Sequence, residues 1–270
     1  MKKLIQIENI KTFSSNTFRV ILTLHFLFYI LVVLAVSRIE LSLGQFTISR
    51  LYDFPNVWEF FSWVASWFNI LLGVLVIVLI CNEFRFYTFR QQVMNGLNES
   101  HLMLGKIYMV VVIAIYSLIL VIVSSFVSGN ITGSESLGLS QFSGMEVVLV
   151  YFLQTLAYMS MALLFAMLFK NNGLAIVTFI LYLFPAEVIL RNLVFRNVQE
   201  YFPAKLISGL TPLPSMFRDQ ASSLKGMGMD FNTTQAADAA LVTSQEIGLT
   251  LLYIFVFLSI AYWILKRKSY

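Results

Sequence analysis

Six apolar runs, each about as long as a bilayer is thick, constrain this chain more than any other feature. They occupy 18–36, 60–81, 107–127, 147–169, 173–190 and 247–265. A helix needs about 20 apolar residues to cross the hydrocarbon layer. Composition agrees with that reading. The 270 residues are 59% hydrophobic and 12% charged, and mean hydropathy is +0.80. A soluble domain carries about twice that share of charge. The pattern predicts an all-α membrane protein with six transmembrane helices, forming one domain over 1–270.

Lys and Arg set the expected orientation, because positive loops stay on the cytoplasmic side. With the N-terminus inside, the inner side holds Lys2, Lys3, Lys11, Arg19, Arg85, Arg90, Lys106, Lys170, Lys266, Arg267 and Lys268. The short outer loops hold only Arg38 and Arg50. The loop 191–246 adds Arg191, Arg196, Lys205, Arg218 and Lys225 to the outside, but long loops cross largely regardless of charge. Both termini are therefore expected in the cytoplasm. Trp58, Trp63 and Trp67 would mark the outer interface and Trp263 the inner one.

Residues 1–17 read as an interfacial helix leading into the first span, with Leu4, Ile7 and Ile10 near helical spacing and Lys2, Lys3, Glu8 and Lys11 interleaved. A disordered basic tail is the alternative. In the loop 191–246, the apolar stretch 202–217 predicts short helices capping the outer face, and 219–246 a more mobile tract. Pro185 predicts a kink or an early end in the fifth span.

Chemistry within the chain is sparse. One cysteine, Cys81, excludes an internal disulfide and makes a cysteine zinc site untenable. No G-x-x-x-x-G-K-[ST] phosphate loop occurs, so any nucleotide is handled by another subunit. "QFSGM" at 141–145 lacks the first glycine of a serine-hydrolase motif and falls in an outer loop. His25 lies inside the first span and His101 at an inner helix start, so neither is within hydrogen-bond reach of that serine. No convergent catalytic set remains, so the chain reads as no enzyme by itself. Ionisable groups inside the spans are few. His25 is one. Glu187 and Arg191, four residues apart, share a helix face and predict an outer ion pair or an outer gate. Asn69 and Gln154 read as helix–helix hydrogen-bonding residues. Phe28, Tyr151, Tyr158 and Met159 are candidates to line an apolar pathway, with ordinary packing as the alternative for each.

The remaining feature is "NEFRFYTFRQQVMNG" at 82–96, a charged segment between the second and third runs. Phe86, Phe89, Val93 and Leu97 fall on one helical stripe, with Arg85, Arg90 and Gln92 elsewhere. That spacing predicts an amphipathic surface helix ended by Gly96. A loop resting on lipid headgroups is the bland alternative.

Glu83, Phe84, Thr88, Arg90, Gln91, Gly96, Asn98 and Lys106, in that order, resemble the first cytoplasmic loop of permease subunits of type-2 ATP-binding cassette exporters. Glu99 and Ser100 depart from it, since many relatives carry a basic residue there. The resemblance covers the whole chain by topology and one loop by motif. It implies a bacterial inner-membrane permease that exports an amphipathic substrate such as a lipid, peptide or drug. It also implies a separate ATPase that holds ATP and Mg and touches this chain at a coupling helix. Glu83, Arg85, Thr88, Arg90, Gln91, Gln92, Asn95 and Gly96 are the contact residues so implied. A second permease subunit, identical or paralogous, would complete the pathway. The alternative is a non-transporting anchor or scaffold of a motility, secretion or sensing machine.

Overall fold

Helices form wherever the apolar runs predict them, with one break and one widened turn that hydropathy alone does not reveal. The computed structural model describes residues 2–37, 42–43, 46–47, 51–132, 139–193, 196–215, 217 and 242–267. Helix α1 spans Lys2–Ser14, α2 Asn16–Ser37, α3 Asn56–Trp67, α4 Asn69–Arg85, α5 Thr88–Met94 and α6 Glu99–Thr132. They are followed by α7 (Glu146–Phe169), α8 (Asn172–Leu181), α9 (Glu187–Leu193), α10 (Pro203–Gly209) and α11 (Ser244–Arg267). The only strands among the described residues are two-residue segments, β1 (Ser42–Leu43) and β2 (Phe46–Thr47). They pair antiparallel, Ser42 opposite Thr47. Five segments are long and apolar enough to cross a membrane, and the bent pair α3–α4 makes a sixth. The chain is a multi-pass helical membrane protein.

The central helix is α7, which packs on α4, α6, α8 and α11. In its most apolar window 67% of residues are buried, against 17% in α2 and in the α8–α9 segment. Those outer helices leave Leu24, Leu31, Phe184 and Ile189 exposed, as lipid-facing helices do. Two side-chain cores lie one beyond the other. One joins Leu72, Ile80, Met103, Val110, Met159, Leu163 and Phe179. The other joins Tyr29, Tyr52, Trp58, Phe61, Val121 and Tyr151.

The second run bends by 43° between α3 and α4. Asn69 opens α4 at that bend and is fully buried. Its side-chain oxygen accepts the Thr155 hydroxyl at 3.0 Å, and its amide nitrogen donates to Gln154 Oε1 at 3.4 Å. Gln154 also accepts the Thr211 hydroxyl at 3.0 Å and donates to the Ile207 carbonyl at 2.9 Å. Asn69 and Gln154 thus serve helix packing, which keeps buried amides paired.

The fifth run stays helical past Pro185 by widening into a π turn over Tyr182–Ala186. Proline lacks the amide hydrogen a regular turn needs, and the wider turn accommodates that loss. The span continues as α9, so the expected shortening does not occur. Asn171 starts α8 by accepting the amides of Gly173 and Leu174 at 2.9 and 3.3 Å, the usual role of an asparagine N-cap. Helix α10, with Pro203 in its first turn, and a 3-10 turn over Arg196–Tyr201 are the short helices expected in the long loop. Most of 219–246 lies outside the described residues, and α11 begins within it at Ser244.

Candidate functional site

The described parts of both chain ends lie at the same end of the bundle as α5. Tyr262 of α11 hydrogen-bonds Ser100 at the start of α6, at 3.1 Å. Glu8 of α1 bonds Lys106 further along the same helix. The stretch 82–96 is therefore at the end that gathers Lys11, Arg19, Arg85, Arg90, Lys106, Lys170, Lys266 and Arg267.

Local geometry divides that stretch in two, correcting the expectation of one continuous amphipathic helix. Helix α4 runs through Arg85, and Tyr87 then adopts a left-handed conformation at φ 55°. This breaks the helix and starts α5 in a new direction. The Thr88 hydroxyl donates across the break to the Glu83 carbonyl at 3.1 Å. At the far end the Gly96 amide bonds the Val93 carbonyl at 2.9 Å, and the Leu97 amide bonds the Gln92 carbonyl at 3.1 Å. With Gly96 at φ 87°, these are the paired hydrogen bonds of a glycine-terminated helix. The expected stop at Gly96 is present.

The stripe inside α5 is shorter than its spacing suggested. Phe89 is 1% exposed and stacks on Phe84 with ring centres 4.6 Å apart. Val93 and Leu97 pack half-buried against the same core. Phe86 falls in the break and is 64% exposed, so it does not join them. Burying one Phe side chain contributes about 2–3 kcal/mol, and Phe89 is the main apolar tie of this seven-residue helix.

Beneath Phe89 lies a buried cluster of charge. Lys106 is fully buried, with its ammonium 5.4 Å from the Phe89 ring centre. It donates to Glu8 Oε1 and Oε2 at 2.9 and 2.8 Å and to Glu83 Oε1 at 2.6 Å. An ammonium has three donors, and all three are used. Lys11 adds contacts at 2.7 Å to Glu83 and 3.3 Å to Glu8. Two acids and two bases cancel. Burial alone pushes the Glu8 carboxyl up, but Lys106 and Lys11 together hold it below its ordinary value. Burial, followed by repulsion from Lys106, lowers the Lys11 ammonium against the pull of Glu83 and Glu8. The cluster joins α1, α4 and α6, and through Phe89 it also seats α5.

The implied contact residues separate accordingly. Glu83 is 5% exposed and committed to Lys106 and Lys11, so it faces the interior and holds the site from within. Thr88 is half-buried on its backbone bond. Gln92 is half-buried, and its side-chain oxygen has no hydrogen-bond donor among the described residues. Arg85, Arg90, Gln91, Asn95 and Gly96 are exposed. Arg85 and Arg90 share a cavity of about 370 Å³ with Tyr87 and Lys170. Lys170 ends α7 at φ 55°, with its ammonium 4.6 Å from the Phe84 ring centre.

At the opposite end, the expected Glu187–Arg191 ion pair does not form. Glu187 is 3% exposed, and its two oxygens accept the Ala204 and Lys205 amides at 2.8 and 2.7 Å. It holds the first turn of α10, whose free amides attract a carboxylate more closely than Arg191 does. The candidate pathway residues do not come together. Phe28 is exposed on α2, Tyr151 and Met159 are fully buried in different cores, and Tyr158 lines a cavity beside Glu187. His25 is buried, its ring edge-on to Phe68 at 6.1 Å and tilted against Tyr116 at 5.8 Å.

The charged cluster is what sequence reasoning missed. Its signals were Glu8 between Ile7 and Ile10 in α1 and Lys106 two turns inside a long apolar helix. Compared with protein-family models, the chain matches none. Compared with curated proteins and with solved structures, it likewise shows no significant match.

Proposed function

We propose that this chain is the permease subunit of an ATP-driven exporter, with α5 as the helix through which a separate ATPase acts. The observation that carries the reading is how α5 is mounted. Left-handed turns at Tyr87 and Gly96 isolate it from α4 and α6. Its buried face rests on Phe84 and the Lys106 cluster, and its free face offers Arg90, Gln91 and Asn95. A short helix so fixed passes a displacement directly to α1, α4 and α6, because packed interiors are stiff. The sequence contains no phosphate-binding loop, so the energy comes from a partner. The resemblance to type-2 exporter permeases supports the same division of labour.

In this reading the end bearing α5 and the basic residues faces the cytoplasm, in accord with the bias of Lys and Arg. Helix α1 lies along the inner leaflet. ATP and Mg reside on the ATPase, and a second permease copy or paralogue faces this one in the bacterial inner membrane. The cargo is amphipathic, since the exposed spans offer aliphatic and aromatic surface without fixed charge at mid-depth.

The test is co-expression with a candidate ATP-binding cassette ATPase from the same organism. A stable complex in detergent is expected, with ATP turnover that falls at least about tenfold in Arg85→Glu/Arg90→Glu while membrane insertion is kept. Such a loss corresponds to about 1.4 kcal/mol or more. Unaltered turnover in that variant refutes the docking role. Co-purification with a large envelope assembly and no ATPase supports the scaffold reading instead.

A further inference from the structure

We propose that the cavity between the α8–α9 segment and α10 binds the anionic headgroup of a membrane amphiphile. Its volume is about 210 Å³. Sites for whole drug-sized molecules run about 300–1,000 Å³, so this space suits a headgroup whose hydrocarbon lies outside. Arg191 lines it from the α8–α9 segment together with Leu183, Phe184 and Val188, and Lys205 from α10. Phe184 and Val188 are 58% and 41% exposed and continue into exposed Ile189 and Leu190. Hydrocarbon thus has a surface to run along directly from the two cations.

The charge arrangement is what selects an anion. Glu187 borders the same cavity, but both its oxygens are held by the amides that start α10. Every ion pair among the described residues belongs to the Lys106 cluster at the other end. Arg191 and Lys205 are half-buried and form none there. Arg191 and Lys205, both lining one small cavity, carry the donors that a phosphate or carboxylate takes.

The backbone shapes the same site. The π turn at Tyr182–Ala186 directly precedes Glu187. One inserted residue rotates the remainder of a helix by about 100° around its axis. It carries Glu187 and Arg191 onto the side facing α10, and such turns concentrate at functional sites. Arg191 lies two residues from the end of the apolar segment Asn172–Leu193, the depth at which headgroups sit.

The full-length chain in neutral detergent, given equal phosphatidylglycerol and phosphatidylcholine, tests this by native mass spectrometry. One retained phosphatidylglycerol per chain is expected, preferred at least about tenfold. The preference should disappear in Arg191→Gln/Lys205→Gln, persist in Arg191→Lys, and be unchanged in Arg19→Gln at the far end. Glycerol 3-phosphate at millimolar concentration should not displace the lipid. No preference in the wild-type chain overturns the proposal, as does a preference that survives the double substitution. Displacement by glycerol 3-phosphate overturns it too, in favour of a soluble phosphate ligand. If the double variant unfolds, Lys205→Gln alone is read instead, and an undiminished preference there overturns the proposal. The measurement needs no ATPase, so its outcome is separate from that of the exporter reading.

Discussion

Replacing Lys106 by Met is the sharpest test of how the basal end is held. Methionine has nearly the same length and volume, so packing changes little. The charge balance changes greatly. Glu8 and Glu83, 1% and 5% exposed, retain only Lys11, whose side chain is 27% exposed and lies 3.3 and 2.7 Å from them. One buried carboxylate's charge is left uncompensated. Removing one member of a buried ion pair costs about 3–5 kcal/mol, and the surviving Lys11 contacts place this case near 3 kcal/mol. The double variant Lys106→Met/Glu8→Gln restores neutrality, and its cost should fall to about 1 kcal/mol, below that of Lys106→Met and far below the sum of the two single variants. The assay is reversible unfolding by sodium dodecyl sulfate in mixed micelles, on all four members of the cycle. Additive effects, or a loss under about 1 kcal/mol in Lys106→Met, would refute the view that charge neutrality holds the cluster together.

Three further perturbations probe the same geometry. A Cβ added at Gly105 meets Glu8 Cγ at 3.1 Å. Gly105→Val should therefore push α1 away and cost about 1–3 kcal/mol, seen as faster proteolysis within α1, while Gly105→Ala should be milder. Gly96→Ala forces an L-residue to φ 87° and should destabilise the end of α5 by about 1 kcal/mol, read as faster amide exchange at Leu97. Glu8 has a folded pKa below its ordinary 4.5, so it contributes stability that is fully present above pH 4.5. That stability is lost as pH falls through the lower folded value. An acid titration of the unfolding midpoint should show this decline, and Glu8→Gln should flatten it.

Hydropathy made the spans legible, because crossing lipid demands long apolar runs whatever the packing. Gly96 was legible for a local reason: the residue after a helix often needs a left-handed conformation that glycine adopts freely. Tyr87 takes the same conformation without any such residue signal, so the division of α4 from α5 was hidden. The bend at Asn69 was hidden as well, since its hydrogen-bond partners lie on α7. Spacing placed Glu187 beside Arg191, yet α10, which follows in the same loop, folds back with two free amides and takes the carboxylate. The Lys106 cluster required the same kind of knowledge, with members at positions 8, 11, 83 and 106. Periodicity describes one element at a time, and each of these outcomes was decided by a second.

The two cores separated near the Asn69 bend imply that the molecule has two cooperative layers. The layer around α4, α7 and α11 is packed mainly by interlocking aliphatic and methionine side chains. The layer around α3 is built largely of aromatic rings, with the hydrogen bonds of Asn69, Thr155 and Gln154 forming the seam. Helices α2, α6 and α7 contribute to both layers, and the α3–α4 span bends between them, so opening free energies should differ along that span. Amide exchange should accordingly show two levels of protection, dividing at Phe68. A load applied at α5 would then reach the layer around α4 first, and the layer around α3 along α2, α6 and α7, which run through both.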